Sequence, residues 1–165
     1  MNKLISFLLF IFSVSCYGSE ELIISSQTTV GYEQPQVTSH AGNILMMKYD
    51  GWYFSHEIMD PVKIYPSIDL TGLEKDYVKS LFELPVRQTF PKWLSELSTE
   101  QADVFGLSDN NFDHKKLNKI EIYAIYDPES DKGNVFIIEE NQVHHLNISG
   151  GKDKYTMLIN SIKER

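Results

Sequence analysis

The chain has 165 residues and a formal net charge of −8 at pH 7, from 23 Asp and Glu residues against 15 Lys and Arg. This acidic balance argues against nucleic acid and anionic membrane surfaces, so we expect neither as a partner. The single cysteine excludes a disulfide framework within one chain. The length suits one domain with an ordinary hydrophobic core.

Residues 1–18 have the layout of a secretory signal peptide. Lys3 precedes an uncharged apolar run at residues 4–14, small residues follow, and the acidic Glu20 and Glu21 come next. This order predicts export, and the apolar run is too short to stay in a membrane as a spanning anchor. We therefore expect no transmembrane span in the mature chain.

Cys16 leaves two processing outcomes open. It follows small residues at the end of the apolar run, as the lipidated cysteine of a bacterial lipoprotein does, and lipidation would anchor the protein to the membrane. The lipoprotein pattern has leucine where this chain has Ser13. This difference favours ordinary cleavage, with Cys16 removed by a cut after Gly18. Both outcomes predict an exported protein, periplasmic or extracellular.

The segment that follows the signal is predicted to be an N-terminal arm. Residues 19–42 are rich in Ser, Thr, Gln and Gly and are expected to be mobile or partly extended, with a short strand at residues 22–24. The single folded domain is then predicted to span residues 43–165.

A β-hairpin begins this domain. Asp50 and Gly51 separate two apolar, aromatic-rich runs at residues 44–49 and 52–57. Asp-Gly between such runs is typical of a two-residue type I′ turn.

Three short helices are predicted within residues 71–106. Thr71 and Glu74 have the spacing of a capping box at the start of the first helix. Pro91 can begin the second helix, because proline is favoured at the first helical position. The Ser-Thr-Glu-Gln sequence at residues 98–101 repeats the capping pattern for the third.

Residues 119–163 predict a three-strand meander that is closed by a helix. Three apolar runs are separated by a polar loop at residues 127–133 and by a tight turn at Glu140 and Asn141, and Asp153 is the predicted N-cap of the final helix. The fold class is therefore α+β. Its mainly antiparallel sheet combines the N-terminal hairpin with this meander, and helices, including the C-terminal one, pack against it.

The predicted function is that of a binding module without enzymatic activity. We expect a small acidic protein of the bacterial cell envelope that contacts another envelope protein, in an inhibitor, immunity-like or accessory role. The candidate contact residues are Tyr53, Tyr123 and His145, which we expect on faces that point away from the main core, where aromatic side chains anchor interfaces. No catalytic residue, cofactor or metal is predicted.

Two other functions are kept as alternatives. A metal-dependent hydrolase would need His56, His114 or His145 to meet Asp113. The adjacent His144 and His145 cannot share one metal ion, because neighbouring residues on a strand point to opposite faces. The other alternative is a small-molecule carrier with a pocket between the helices and the sheet.

Overall fold

A computed structural model describes residues 20–65, 67–107 and 111–165. The predicted signal peptide and Cys16 lie outside the described residues. The described strands are β1 (Glu20–Ile23), β2 (Thr28–Tyr32), β3 (Val37–Ala41), β4 (Ile44–Lys48), β5 (Tyr53–Ile58), β6 (Asp113–Lys116), β7 (Glu121–Asp127), β8 (Lys132–Ile138), β9 (Val143–Ser149) and β10 (Ile162–Glu164). The described helices are α1 (Glu74–Phe82), α2 (Leu84–Arg87), α3 (Lys92–Val104) and α4 (Lys152–Ser161). None of these helices is long and apolar enough to cross a membrane.

Seven strands form one antiparallel sheet in the order β3-β4-β5-β9-β8-β7-β6. The predicted hairpin supplies β4 and β5, and the predicted meander supplies β7, β8 and β9. Pairing between β5 and β9 joins them into one sheet. The α+β fold predicted from the sequence is confirmed.

The sheet is covered on two sides, and β8 shows this most clearly. Val135 and Ile137 belong to a core on the side of α4, whereas Phe136 and Ile138 belong to a core on the side of α1 and α3. We call these sides the α4 face and the three-helix face. A run that is apolar at successive positions suits a central strand with both faces buried.

Residues 20–41 contain three strands where a mobile or partly extended arm is predicted. β1, β2 and β10 form a separate antiparallel sheet, with β2 in the centre. Val30 on β2 is fully buried and packs into the core of the α4 face. β2 pairs with the C-terminal β10, and the local sequence could not indicate this distant partner.

The ends of the helices differ from the predicted caps. α1 begins at Glu74 without a side-chain cap, so the capping box from Thr71 is wrong. α3 runs unbroken from Pro91, its N-cap, and the predicted separate helix at residues 98–101 is part of it. α4 follows Gly151, and Asp153 lies in its first turn without a capping hydrogen bond.

The hairpin turn also differs from its prediction. Gly51 has a positive φ of +74°. Asp50 does not, because Asp131 is the one non-glycine residue with positive φ in the described part of the chain. A type I′ turn needs positive φ at both central residues, and Asp50 does not have it. The backbone N–H of Tyr49 still donates to the carbonyl of Trp52 at 2.9 Å, so the strands close at the predicted place.

Gly133 on β8 is expected to tolerate no side chain. A Cβ atom there would lie 2.4 Å from Cδ2 of Tyr155 and 2.8 Å from Cγ2 of Ile148, and both side chains are buried. Because such overpacking forces the backbone or buried groups to move, Gly133→Ala should lower the free energy of unfolding by about 1–3 kcal/mol in a urea titration. The neighbouring exposed Lys132→Ala should change it by less than about 0.5 kcal/mol. Equal values for the two variants would contradict the packing of α4 on β8.

Candidate functional site

The helices cover only part of the three-helix face. The core between the helices and the sheet involves β7, β8 and the start of β9. On β3, β4, β5, the rest of β9 and the start of β8 the same side of the sheet is exposed or half-buried. We call this region the open face. By the strand register its side chains are Val37, Ser39, Ala41, Ile44, Met46, Lys48, Tyr53, Ser55, Glu57, Lys132, Asn134, His145, Asn147 and Ser149.

The outer half of the open face, on β3 and β4, is mainly apolar, with Ser39 and Lys48 as its polar members. Val37, Ile44 and Met46 have 55%, 38% and 43% of their surface exposed. They lie on β3 and β4, and β3 is an edge strand whose five residues are all exposed. Adjacent exposed apolar side chains on a sheet favour contact with another molecule.

The inner half of the open face is a row of hydrogen-bonded polar side chains. The hydroxyl of Tyr53 donates to Oδ1 of Asn147 at 3.2 Å, and Nδ2 of Asn147 donates to Oδ1 of Asn134 at 3.0 Å. His145 continues the row, with Nε2 3.0 Å from Asn134 Oδ1 and Nδ1 3.3 Å from Glu57 Oε1. The row crosses β5, β9 and β8 and holds each side chain in one orientation.

A cavity of about 280 Å³ lies where the open face meets the helices. His145 and Glu57 line it from the sheet, and Tyr77, Leu81 and Phe105 line it from the helical side. Its wall is mixed, because Asp60, Lys63 and Gln101 also line it beside these aromatic and aliphatic groups. Small binding pockets in proteins also combine apolar walls with polar groups.

Two of the three predicted contact residues lie on the open face. Tyr53 and His145 are both half-buried there and belong to the same hydrogen-bonded row. The ring of His145 stacks on Phe136, with centroids 4.7 Å apart, and this contact fixes the ring plane. Asn134 and Asn147 are not among the predicted contact residues. The alternation along β9 places Asn147 beside His145, but only the register with β8 brings in Asn134.

Tyr123 does not lie on an outward face. Its side chain is fully buried in the core of the three-helix face, against Phe82 and Phe112. Its hydroxyl contacts the carboxylates of Glu83 and Glu121. Burial, followed by these hydrogen bonds, raises the pKa of the Tyr123 phenol. The predicted exposure of this residue is wrong, because Phe82 of α1 and Phe112 cover its ring.

The residues of the alternative hydrolase do not converge. His145 is on the open face, whereas His56 is on the α4 face, where it contacts His144. Asp113 accepts a hydrogen bond from Tyr155 at 2.8 Å, but His114 stacks on the ring of Tyr123. The metal site that the hydrolase alternative would need is not formed by these residues.

A buried chain of polar groups crosses the α4 side of the sheet. His56 Nε2 lies 2.9 Å from Nδ1 of the fully buried His144. On the other side of that ring, Nε2 lies 3.4 Å from Oε1 of the buried Glu139, without the alignment of a hydrogen bond. Ser25 and Thr28 donate to the same carboxylate oxygen at 2.5 and 2.6 Å.

The buried polar groups of His56, His144 and Glu139 are held in one protonation state. Burial, with a smaller contribution from neighbouring His144, lowers the pKa of His56 to about 4. Burial also lowers the pKa of His144 although Glu139 opposes the change. Burial raises the pKa of Glu139, but hydrogen bonds from Ser25, Thr28 and Gln142 outweigh it, and the pKa lies below its usual value. Near neutral pH this buried group therefore consists of two neutral imidazoles, His56 and His144, and one carboxylate, Glu139.

No protein-family model matches the chain, and no curated protein matches it as a relative. A function for the chain therefore depends on the geometry of its own residues.

Proposed function

We propose that the chain is an exported, non-enzymatic binding module of the bacterial cell envelope that contacts another protein through its open face. The observation that supports this proposal is that exposed apolar side chains and an ordered polar row lie side by side on this face. Interfaces have this composition, an apolar region next to groups that form directed hydrogen bonds. Export rests on the signal-peptide pattern of residues 1–18, and both processing outcomes at Cys16 are compatible with the proposal.

The two halves of the open face support different parts of binding. Burial of Val37, Ile44 and Met46 by a partner would supply the hydrophobic contribution to affinity. Tyr53 and His145 are held in place before binding, so little side-chain entropy is lost when a partner docks. The site therefore favours a partner with a preformed surface.

The charge of the chain indicates what kind of partner surface would fit. A net charge of −8 accelerates association with a basic protein and disfavours acidic ones. An inhibitor or immunity-like role, in which a small acidic protein covers a basic surface of its target, has this electrostatic pattern. We propose a basic protein of the envelope as the partner.

Met46→Asp tests the open face. The tagged protein is used to capture partners from its own envelope fraction at moderate salt, and a near-stoichiometric partner is identified by mass spectrometry. Placing a carboxylate at the centre of the apolar half should raise the Kd for that partner at least about tenfold, equivalent to about 1.4 kcal/mol, as measured by calorimetry.

Leu84→Asp is the matched control for this experiment. Leu84 is 58% exposed and directly follows Glu83 at the β6 edge, opposite the β3 edge of the sheet, and the substitution also replaces an exposed apolar side chain with a carboxylate. We expect it to bind the partner like the unaltered protein. If both variants bind with unaltered affinity, or if both are weakened equally, the open face is not the contact surface.

A second candidate function is that of a small-molecule carrier. The observation that favours it is the cavity of about 280 Å³ between the helices and the sheet, where a pocket of this kind is predicted. Phe105→Trp would fill part of this space. If the protein is a carrier, this variant should lose a small molecule that native mass spectrometry detects on the unaltered protein, while Leu84→Asp should keep it.

A further inference from the structure

Three side chains able to ligate a metal meet at the β6 edge of the sheet. Glu83 directly follows α1, His114 lies on β6 and Glu121 is the first residue of β7. One ligand atom of each lies within 4.8 Å of the other two, and no other group of three in the described part of the chain does this. Nε2 of His114 is 3.0 Å from Oε1 of Glu121. Ligand atoms that each lie about 2.0–2.2 Å from one ion are at most about 4.4 Å apart, so small side-chain rotations would bring the three atoms around a shared ion.

The charges in this group are not balanced by its own protons. The hydroxyl of Tyr123 carries one proton, yet it contacts Oε1 of Glu83 and Oε1 of Glu121. One of these two oxygen pairs therefore meets without a proton between them. Lys79 lies 2.5 Å from Oε2 of Glu121 and offsets one of the two negative charges. A divalent cation bound by the carboxylates would remove the remaining repulsion.

The side chains are also oriented for ligation. The ring of His114 stacks on Tyr123, with centroids 4.4 Å apart and planes 13° from parallel. Lys79 holds Oε2 of Glu121, while Oε1 faces His114 and the Tyr123 hydroxyl, so an ion between Glu121 and His114 would replace their direct contact. The side chain of His114 is 39% exposed, so an ion can reach the group from solvent.

We propose that Glu83, His114 and Glu121 bind one divalent transition-metal ion, with Zn²⁺ as the first candidate. An imidazole nitrogen with two carboxylate oxygens suits Zn²⁺ better than Mg²⁺ or Ca²⁺, which take oxygen ligands alone. Three protein ligands leave a fourth tetrahedral position for a water molecule. The ion would connect the end of α1 to β6 and β7, and so tie the helices to the edge of the sheet. The site is independent of the open face and of the function proposed for it.

Zn²⁺ binding to the protein itself tests the proposal. The chain is expressed from its full sequence, purified without a polyhistidine tag, treated with chelator and titrated with Zn²⁺ in a calorimeter. We expect one equivalent to bind and the melting temperature to rise with the Zn²⁺ concentration, because an ion that binds only the folded state stabilises it. His114→Ala and Glu83→Gln should each weaken Zn²⁺ binding by about tenfold or more.

His40→Ala is the matched control, since it removes an exposed histidine on β3 that lies outside the group. It should bind Zn²⁺ like the unaltered protein. Near-ultraviolet circular dichroism shows whether each variant is folded, and Glu83→Gln provides the test if His114→Ala is not. The proposal is overturned if the unaltered protein binds no Zn²⁺. It is also overturned if His114→Ala or Glu83→Gln is folded and binds Zn²⁺ as tightly as the unaltered protein. The same holds if His40→Ala weakens Zn²⁺ binding as much as these variants do.

Discussion

Replacing Phe136 with alanine is expected to lower the free energy of unfolding by about 3–5 kcal/mol. Phe136 lies on the central strand β8 and is 1% exposed. Phe82 and Phe105 contact its ring edge-on from the helical side, with centroids 5.7 and 5.6 Å away. The substitution would leave a cavity between the sheet and two helices that neither layer can close without losing contacts elsewhere. Urea unfolding followed by circular dichroism measures the change.

Trp93→Ala is the control for this prediction. Trp93 is also a large aromatic residue, but it is 53% exposed on α3. Its removal should change the free energy of unfolding by about 0.5 kcal/mol or less. A loss below about 1 kcal/mol for Phe136→Ala would mean that the helices do not pack on β8 as described.

Acidification is expected to destabilise the protein strongly between about pH 6.5 and 4. In the folded state the pKa of His56 is about 4, below its ordinary value of 6.5, and the pKa of His144 is lowered as well. The unfolded chain therefore binds more protons in this window, so stability is complete above pH 6.5 and falls as pH decreases. At about 1.4 kcal/mol for one pKa unit, His56 alone accounts for a loss on the order of 3 kcal/mol by pH 4.

Chemical denaturation at a series of pH values measures this effect, and His56→Gln isolates its source. The glutamine amide can still donate to His144 but takes up no proton, so the loss of stability between pH 6.5 and 4 should become clearly smaller. His40→Gln, on the exposed strand β3, should leave the pH dependence as it is. Further loss is expected below about pH 4.5, because the lowered pKa of Glu139 means that its carboxylate stabilises the fold only while ionised. A pH dependence that His56→Gln does not alter would contradict this account.

Elements with a strong local pattern could be predicted from the sequence. Residues 119–163 combine alternating apolar residues, turn residues and a helical stripe, and they form β7, β8, β9 and α4 as expected. The hairpin around Asp50 and Gly51 is predicted for the same reason. In both cases the interacting strands are neighbours in the chain, so the pairing is visible in one short stretch of sequence.

Elements whose stability comes from distant partners could not be predicted in this way. β2 and β10 are separated by most of the chain, and β10 has only three residues, too few to show a period. The helix caps were predicted from the residue types of Thr71 and Asp153, but packing of the helices on the sheet decides where each helix begins. Export and the fate of Cys16 stay predictions.

The candidate site also combines features that the local sequence predicts with features that only the tertiary structure shows. Alternation placed Tyr53, Tyr123 and His145 on particular faces of their strands, but a face is exposed only if no other layer covers it. The three helices cover the face at Tyr123 and leave it open at Tyr53 and His145. Likewise, His114 is a candidate ligand in the sequence, whereas its proximity to Glu83, within 4.8 Å, depends on the tertiary position of the end of α1.

The sequence by itself determined the α+β class, the order of the main elements and the acidic charge, and it predicts export. These properties follow from composition and from the local spacing of apolar residues, which recur every two residues in a strand and every 3.6 residues in a helix. The tertiary structure alone decided which side of the sheet stays open, where Glu83, His114 and Glu121 meet, and that Glu139, His144 and His56 form one buried chain. Each of these depends on contacts between residues far apart in the chain, which hydrophobic burial selects only when all the layers pack together.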